Sequence, residues 1–129
     1  MYTVLIIDDD EDSRLFLGDT VASGGYQPLF APDGQAAFEL LRKRAVDVIV
    51  TDLAMPGING LRLIRELCES GERIPIIAVS GINADQLHLA QDYGADAALP
   101  KPVDRRQLLA WIRHLASEHD RFQSTAWGY

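Results

Sequence analysis

The sequence predicts an α/β domain, a doubly wound parallel sheet with helices on both faces, and three observations predict it. Five short β-rich runs alternate with helical patterns: Thr3–Ile7, Tyr26–Phe30, Asp47–Thr51, Ile76–Ser80 and Ala97–Leu99. Three of these runs are nearly continuous in apolar residues, the pattern of strands buried on both faces. The 129 residues suit one domain of that kind. Right-handed crossovers between consecutive strands then place the helices on both faces. The composition agrees, with 47% apolar and 24% charged residues, which excludes a disordered, collagen-like or disulfide-stapled chain.

The elements follow in order. After Thr3–Ile7, a first helix carries Phe16, Leu17, Thr20 and Val21 on one face and stops at Gly24-Gly25. After Tyr26–Phe30, the turn Pro32-Asp33-Gly34 opens a second helix with Ala36, Ala37, Leu40 and Leu41 as its stripe. After Asp47–Thr51, Leu61, Ile64, Leu67 and Cys68 form a third stripe, which ends near Gly71. After Ile76–Ser80, a weaker helix spans Asn83 to Tyr93; Asn83 and Gln86 have capping-box spacing, and Gly94 closes it. The last helix has Asp104 as N-cap, Gln107 three residues on, and Leu108, Ile112, Leu115 and Ala116 on one side. The expected domain covers residues 1–118. Residues 119–129 have no clear period and read as a tail or linker stub.

Charge and targeting narrow the function. The net charge is −7, and five consecutive acids, Asp8, Asp9, Asp10, Glu11 and Asp12, supply most of the surplus. Nucleic acid demands the opposite sign, and no basic stripe with interleaved aromatics is present, so direct nucleic-acid binding is not expected. No apolar run approaches the roughly 20 residues of a membrane span. The start Met1-Tyr2-Thr3 shows no secretory signal, and the single Cys68 fits a reducing cytoplasm.

In an open parallel sheet, ligands sit beyond the carboxyl ends of the strands. There the first strand runs into Asp8-Asp9, the third into Thr51-Asp52, the fourth into Ser80-Gly81 and the fifth into Pro100-Lys101-Pro102. Three carboxylates, a hydroxyl and an ammonium thus converge from four strands. Carboxylates so crowded repel unless a cation intervenes, and a hard divalent ion with oxygen ligands is the natural partner. The pattern points to phosphate chemistry, with Mg²⁺ and Lys101 screening charge, Ser80 donating a hydrogen bond and one Asp as nucleophile.

These residues carry a resemblance. The chain resembles the receiver domain of two-component response regulators through Val4-Leu5-Ile6-Ile7-Asp8-Asp9-Asp10, through the run from Val48 to Gly60, and through Ile77-Ala78-Val79-Ser80-Gly81, Gly94-Ala95-Asp96 and Leu99-Pro100-Lys101-Pro102. The resemblance runs from about residue 2 to 117 and implies a flavodoxin-like (βα)5 domain with strand order 2-1-3-4-5. It implies that Asp52 takes a phosphoryl group from the phosphohistidine of a sensor histidine kinase or phosphotransfer domain. It further implies that Asp9 binds Mg²⁺ directly, that Asp8 supports it through water, and that Asp52 and the backbone carbonyl of Ala54 complete the protein ligands. Ser80 matches the hydroxyl that moves onto the phosphoryl oxygens, and Lys101 the lysine that pairs with Asp52 or its phosphate. A cis Lys101-Pro102 bond is implied as well.

The sequence departs from the family at Ala98, where receivers often carry Tyr or Phe three residues before the lysine. The ring that swaps position as Ser/Thr moves is therefore missing. Val103 replaces a frequent Phe, and Ala54 and Ile82 occupy places that tune phosphate lifetime in the family.

Competing readings rest on particular residues. Asp10, Glu11 and Asp12 read better as a helix start than as ligands. Asp8-x-Asp10-x-Asp12 mimics a calcium loop, but Ser13 stands at the required Gly and a strand precedes it. His88, His114 and His119 read as surface residues without ligand partners, Met55 as packing, and Trp127 and Tyr129 fall in the tail. The alternative function is a Mg²⁺-dependent aspartyl-phosphate phosphatase of the haloacid dehalogenase class, matched loosely by Asp8-x-Asp10. A flavodoxin-type FMN carrier would need Ser, Thr and Gly where five acids stand. The sequence does not decide whether the last helix forms a homodimer contact, nor which downstream target is read.

Overall fold

In a computed structural model of the chain, residues 1–53, 60–70, 73–81 and 84–127 are described, with side chains given outside 84–86 and 122–127. The order is β1 (Thr3–Ile7), α1 (Glu11–Ser23), β2 (Gln27–Ala31), α2 (Gly34–Lys43), β3 (Val48–Asp52), α3 (Gly60–Glu69), β4 (Ile76–Ser80), α4 (Ala84–Tyr93), β5 (Ala97–Pro100) and α5 (Arg105–Trp127). All strand pairs are parallel, in the order β2-β1-β3-β4-β5, with β2 and β5 outermost. This is the doubly wound sheet that the patterning predicts, in the strand order that the family resemblance implies.

Strand alternation sorts the apolar residues onto two faces. Val4, Ile6, Val48, Val50, Ile77, Val79, Ala97 and Leu99 pack with Leu17 and Val21 of α1 and with Leu108, Ile112, Leu115 and Ala116 of α5. Leu5, Ile7, Ile49, Ile76 and Ala78 pack on the other face with Ala37, Leu61, Leu63, Ile64, Leu67 and Ala90, from α2, α3 and α4. Both faces are covered, which is why β3 and β4 carry no exposed residue. Fully burying one such Leu or Ile side chain contributes about 1.5–3 kcal/mol.

Aspartates start three of the helices. Asp10 is the N-cap of α1 and accepts from Ser13 N at 2.9 Å, with Glu11 and Asp12 in the first turn. Asp33 accepts from Ala36 N at 2.8 Å, and Asp104 from Gln107 N at 3.0 Å. Losing such a cap costs about 1 kcal/mol. Gly94 follows α4 at φ +125, a conformation in which a side chain would be strained. Asn83, the expected cap of α4, and Gly71, the expected stop of α3, lie outside the described residues.

Several expectations need correction. β2 and β3 start and end one residue later than the patterning suggests, and β5 extends to Pro100. In β2 the cause is local: Tyr26 N bonds to Val21 O at 3.2 Å, so the turn after α1 claims that residue. Phe16 is 43% exposed rather than packed in the stripe, and the Arg105 guanidinium lies over its ring at 5.6 Å. Cys68 is exposed, and the fully buried Leu63 fills the α3 core position instead. His119 is not a free surface residue: its side chain is only 10% exposed and its Nδ1 lies 3.6 Å from Asp47 Oδ1. α5 continues to Trp127, past residue 118 where the apolar stripe stops, through a segment without Gly or Pro. No helix among the described residues is long and apolar enough to cross a membrane.

Candidate functional site at the acidic pole

The sheet register aligns the finishing ends of the strands. Ile7 lies opposite Ala31 and Thr51, Asp52 opposite Val79, and Ser80 opposite Pro100. The ladder extends past the strands: Asp8 N bonds to Ala31 O at 3.1 Å, Leu53 N to Val79 O at 3.0 Å and Lys101 N to Ser80 O at 2.9 Å. Residues just beyond β1, β3 and β5 are therefore held by main-chain bonds at one edge, beside the end of β4. Asp8, Asp52 and Ser80 are buried there, while Asp9 is exposed. Gly60 lets α3 start close against the end of β3, since a Cβ there would lie 2.5 Å from Leu53 Cα and carbonyl oxygen.

One carboxylate oxygen from each of Asp8, Asp9 and Asp52 lies within 4.8 Å of the others. Lys101 Nζ sits 3.2 Å from Asp52 Oδ2 and 3.4 Å from Asp8 Oδ2. One ammonium thus pairs with two of the three carboxylates. At that spacing each carboxylate pair repels by roughly 3 kcal/mol at an effective dielectric of about 20, and by less where water screens Asp9. The donor set is entirely oxygen and its charge is unbalanced, which suits a hard divalent cation. The Lys101-Pro102 peptide bond is cis.

Asp8 is also held from its own segment. Asp10 N donates to Asp8 Oδ1 at 3.0 Å, Ser13 Oγ donates to Asp8 Oδ2 at 2.5 Å, and Arg14 donates to the Asp8 carbonyl at 2.8 Å. Ser13 Oγ in turn accepts from Lys101 Nζ at 3.3 Å. The sequence reading missed Ser13 and Arg14. Their signal was positional: the first turn of α1 follows Asp8 at once, and Asp8 alternates onto the face that α1 covers.

The structure brings Asp8, Asp9, Asp52 and Lys101 together and places Ser80, buried, at the same edge. Ala54, Met55 and Ile82 lie outside the described residues. Asp10 does not join the pole, because its carboxylate caps α1. The Asp8-x-Asp10 pair of the phosphatase reading therefore does not form, and the supposed calcium loop is a helix. His88 and His114 are exposed, and His114 Nε2 lies 3.4 Å from Glu118 Oε1 on its own helix. Ala98 is half-buried beside Ala78, on the α2–α4 face. A mainly apolar groove of about 330 Å³, lined by Phe38, Leu41, Ile49, Leu67 and Ile74, opens near the starting ends of the strands and brings no carboxylate.

The sequence profile described as Response regulator receiver domain matches residues 4–113. Response regulator MprA of Mycolicibacterium vanbaalenii is 34% identical over 113 residues, which are 87% of this chain and 49% of that protein. MprA of Mycobacterium leprae is 35% identical over 113 residues, 87% of this chain and 50% of that protein. The chain spans about half the length of the curated relatives it matches. Among solved structures, the receiver domain of the Francisella response regulator 1452 is similar with a TM-score of 0.84 at 27% identity, covering 92% of this chain and 98% of that one. The chemotaxis protein CheY4 of Vibrio cholerae has a TM-score of 0.80 at 25% identity, covering 89% and 98%.

Proposed function

The chain belongs to the response regulator receiver domain family, and from that premise we propose that it is a phosphoacceptor switch of a two-component system, with Asp52 as the acceptor. The observation that carries this reading is the gathering of Asp8, Asp9 and Asp52 within 4.8 Å, with Lys101 Nζ 3.2 Å from Asp52. The donor is the phosphohistidine of a sensor histidine kinase or phosphotransfer domain, which docks near α1 and the loops of the acidic pole. An Asp52 carboxylate oxygen attacks phosphorus. The phosphorus–nitrogen bond breaks, its electron pair leaves on the imidazole, and an acyl phosphate remains on Asp52.

Asp9 and Asp52 would hold Mg²⁺ directly and Asp8 through water, with the Ala54 carbonyl completing the protein ligands. When bound, the ion supplies positive charge to the phosphoryl oxygens. Lys101 already pairs with Asp52 and follows the negative charge onto the phosphoryl group. Ser80, at the end of the neighbouring strand, donates its hydroxyl to a phosphoryl oxygen. Self-catalysed hydrolysis returns Asp52 to its resting state. Receiver domains of response regulators are signalling domains, and the product here is a changed surface that a downstream partner reads. The reading places the protein in the cytoplasm.

Incubation with acetyl phosphate and Mg²⁺ tests this reading by mass spectrometry of the intact chain. The expected result is a hydroxylamine-labile phosphate that disappears in Asp52→Asn. Chelating Mg²⁺ lowers the labelling rate by about a hundredfold or more. Labelling that survives Asp52→Asn overturns it.

A further inference from the structure

Ser13 makes two contacts that the phosphoacceptor chemistry alone does not explain. Its hydroxyl donates to Asp8 Oδ2 at 2.5 Å and accepts from Lys101 Nζ at 3.3 Å. A serine hydroxyl can do both at once, having one hydrogen and two lone pairs. Lys101 Nζ is nearly equidistant from Asp52 Oδ2, at 3.2 Å, and Asp8 Oδ2, at 3.4 Å. Asp8 is fully buried, so each of its oxygens needs a donor. Asp10 N serves Oδ1, leaving Ser13 and Lys101 to serve Oδ2.

We propose that Ser13 is a positioning residue that keeps Lys101 shared between Asp8 and Asp52, by giving Asp8 Oδ2 a neutral donor in addition to the ammonium. The proposal rests on the phosphoacceptor reading of Asp52. Without the hydroxyl, the buried oxygen draws on Lys101, the nearest remaining donor. The ammonium then shifts toward Asp8, away from Asp52 and from an arriving phosphoryl group. It also settles deeper among the carboxylates, where it competes with a divalent cation. Ser13 thus sets both how readily the acids accept a cation and how readily Lys101 meets phosphate.

The test uses the full chain with Ser13→Ala, Ser13→Thr, Lys101→Ala and the Ser13→Ala/Lys101→Ala pair. Three quantities are read: Mg²⁺ affinity by calorimetry without phosphodonor, labelling rate with acetyl phosphate, and the urea midpoint. Ser13→Ala is expected to weaken Mg²⁺ binding and slow labelling by about tenfold each, the scale of one hydrogen bond to a charged group. Ser13→Thr, which keeps the hydroxyl, restores both. In the Lys101→Ala background, Ser13→Ala no longer weakens Mg²⁺ binding, because the effect runs through the ammonium. Should Ser13→Ala not fold, Ser13→Cys, close in size and only a weak donor, is expected to show the same losses. Unchanged or tighter Mg²⁺ binding in the single variant, or equal weakening with and without Lys101, overturns the proposal. A parent chain that takes no phosphate on Asp52 overturns the underlying reading and this proposal with it. A parent that is labelled normally alongside an indistinguishable Ser13→Ala removes the role of Ser13 alone.

Discussion

At the edge of the sheet where strands begin, Asp47 Oδ2 accepts from Thr3 N at 2.8 Å, and Asp96 Oδ2 accepts from Ile76 N at 2.9 Å. Each of these acids sits just before its own strand and latches the first amide of the neighbouring strand. At the edge where strands finish, Asp8, Asp9 and Asp52 face one another across less than 5 Å, with Lys101 between two of them. One residue type at two ends of one sheet thus meets opposite partners. An aspartate aimed at a main-chain amide completes the fold. Aspartates aimed at one another strain it and create demand for a cation. What separates structure from chemistry here is what each carboxylate faces.

Substitution should separate the two edges by sign. The largest effect is expected at the starting edge, where Asp96→Ala leaves the Ile76 amide without its partner. Urea denaturation should show a loss of about 2 kcal/mol, with Mg²⁺ affinity unchanged. A neutral result would mean that the latch is decorative, and the contrast would fail. At the finishing edge, Asp9→Asn should act in the opposite direction in chelator-containing buffer, raising stability by about 1 kcal/mol as repulsion among the carboxylates is relieved. With Mg²⁺ present that gain should shrink or reverse, because a ligand has been lost. A destabilised Asp9→Asn chain in chelator would break the comparison.

The smallest effect uses Cys68 as a reporter beside the Asp96 latch. Partial desolvation raises the thiol of the exposed Cys68 above its ordinary pKa, and the negative charges of Asp96 and Glu69 raise it further, while Arg73 opposes. A raised pKa means less thiolate at a given pH, so alkylation should be slower than for a free thiol and should accelerate as pH rises. Asp96→Ala should speed it modestly at fixed pH. Alkylation rates measured from pH 7 to 10 check both statements, and an unshifted profile would disconnect the two residues.

Much of this contrast was legible in the residues. The runs Thr3–Ile7 and Ile76–Ser80 match β1 and β4 end for end, and their apolar residues 4–7 and 76–79 are all buried. Asp8, Asp9, Asp52 and Lys101 were readable because chain direction puts every strand end of a parallel sheet at one pole. The limits of β2, β3 and β5 were less so, since hydrogen-bond register decides them. Ser13 was hidden, because a serine in a first helical turn looks like any surface residue until the helix is docked. Phe16 was misread for a related reason: periodicity says which face a residue lies on, and only the neighbouring helix, here through Arg105, says whether that face is covered. His119 belongs with these, since its partner Asp47 is remote in sequence.

Lys101 reaches the acids from β5, a rim strand hydrogen-bonded in the sheet to β4, and its own amide continues that pairing on Ser80 O. Peeling β5 from the rim would carry off the ammonium and leave buried anions facing one another. Repulsion among these acids therefore works as a bolt on the outermost strand, raising the free energy of local opening there. A divalent ion taking over the neutralising role would draw that bolt, coupling ion occupancy to how tightly the sheet's margin is fastened.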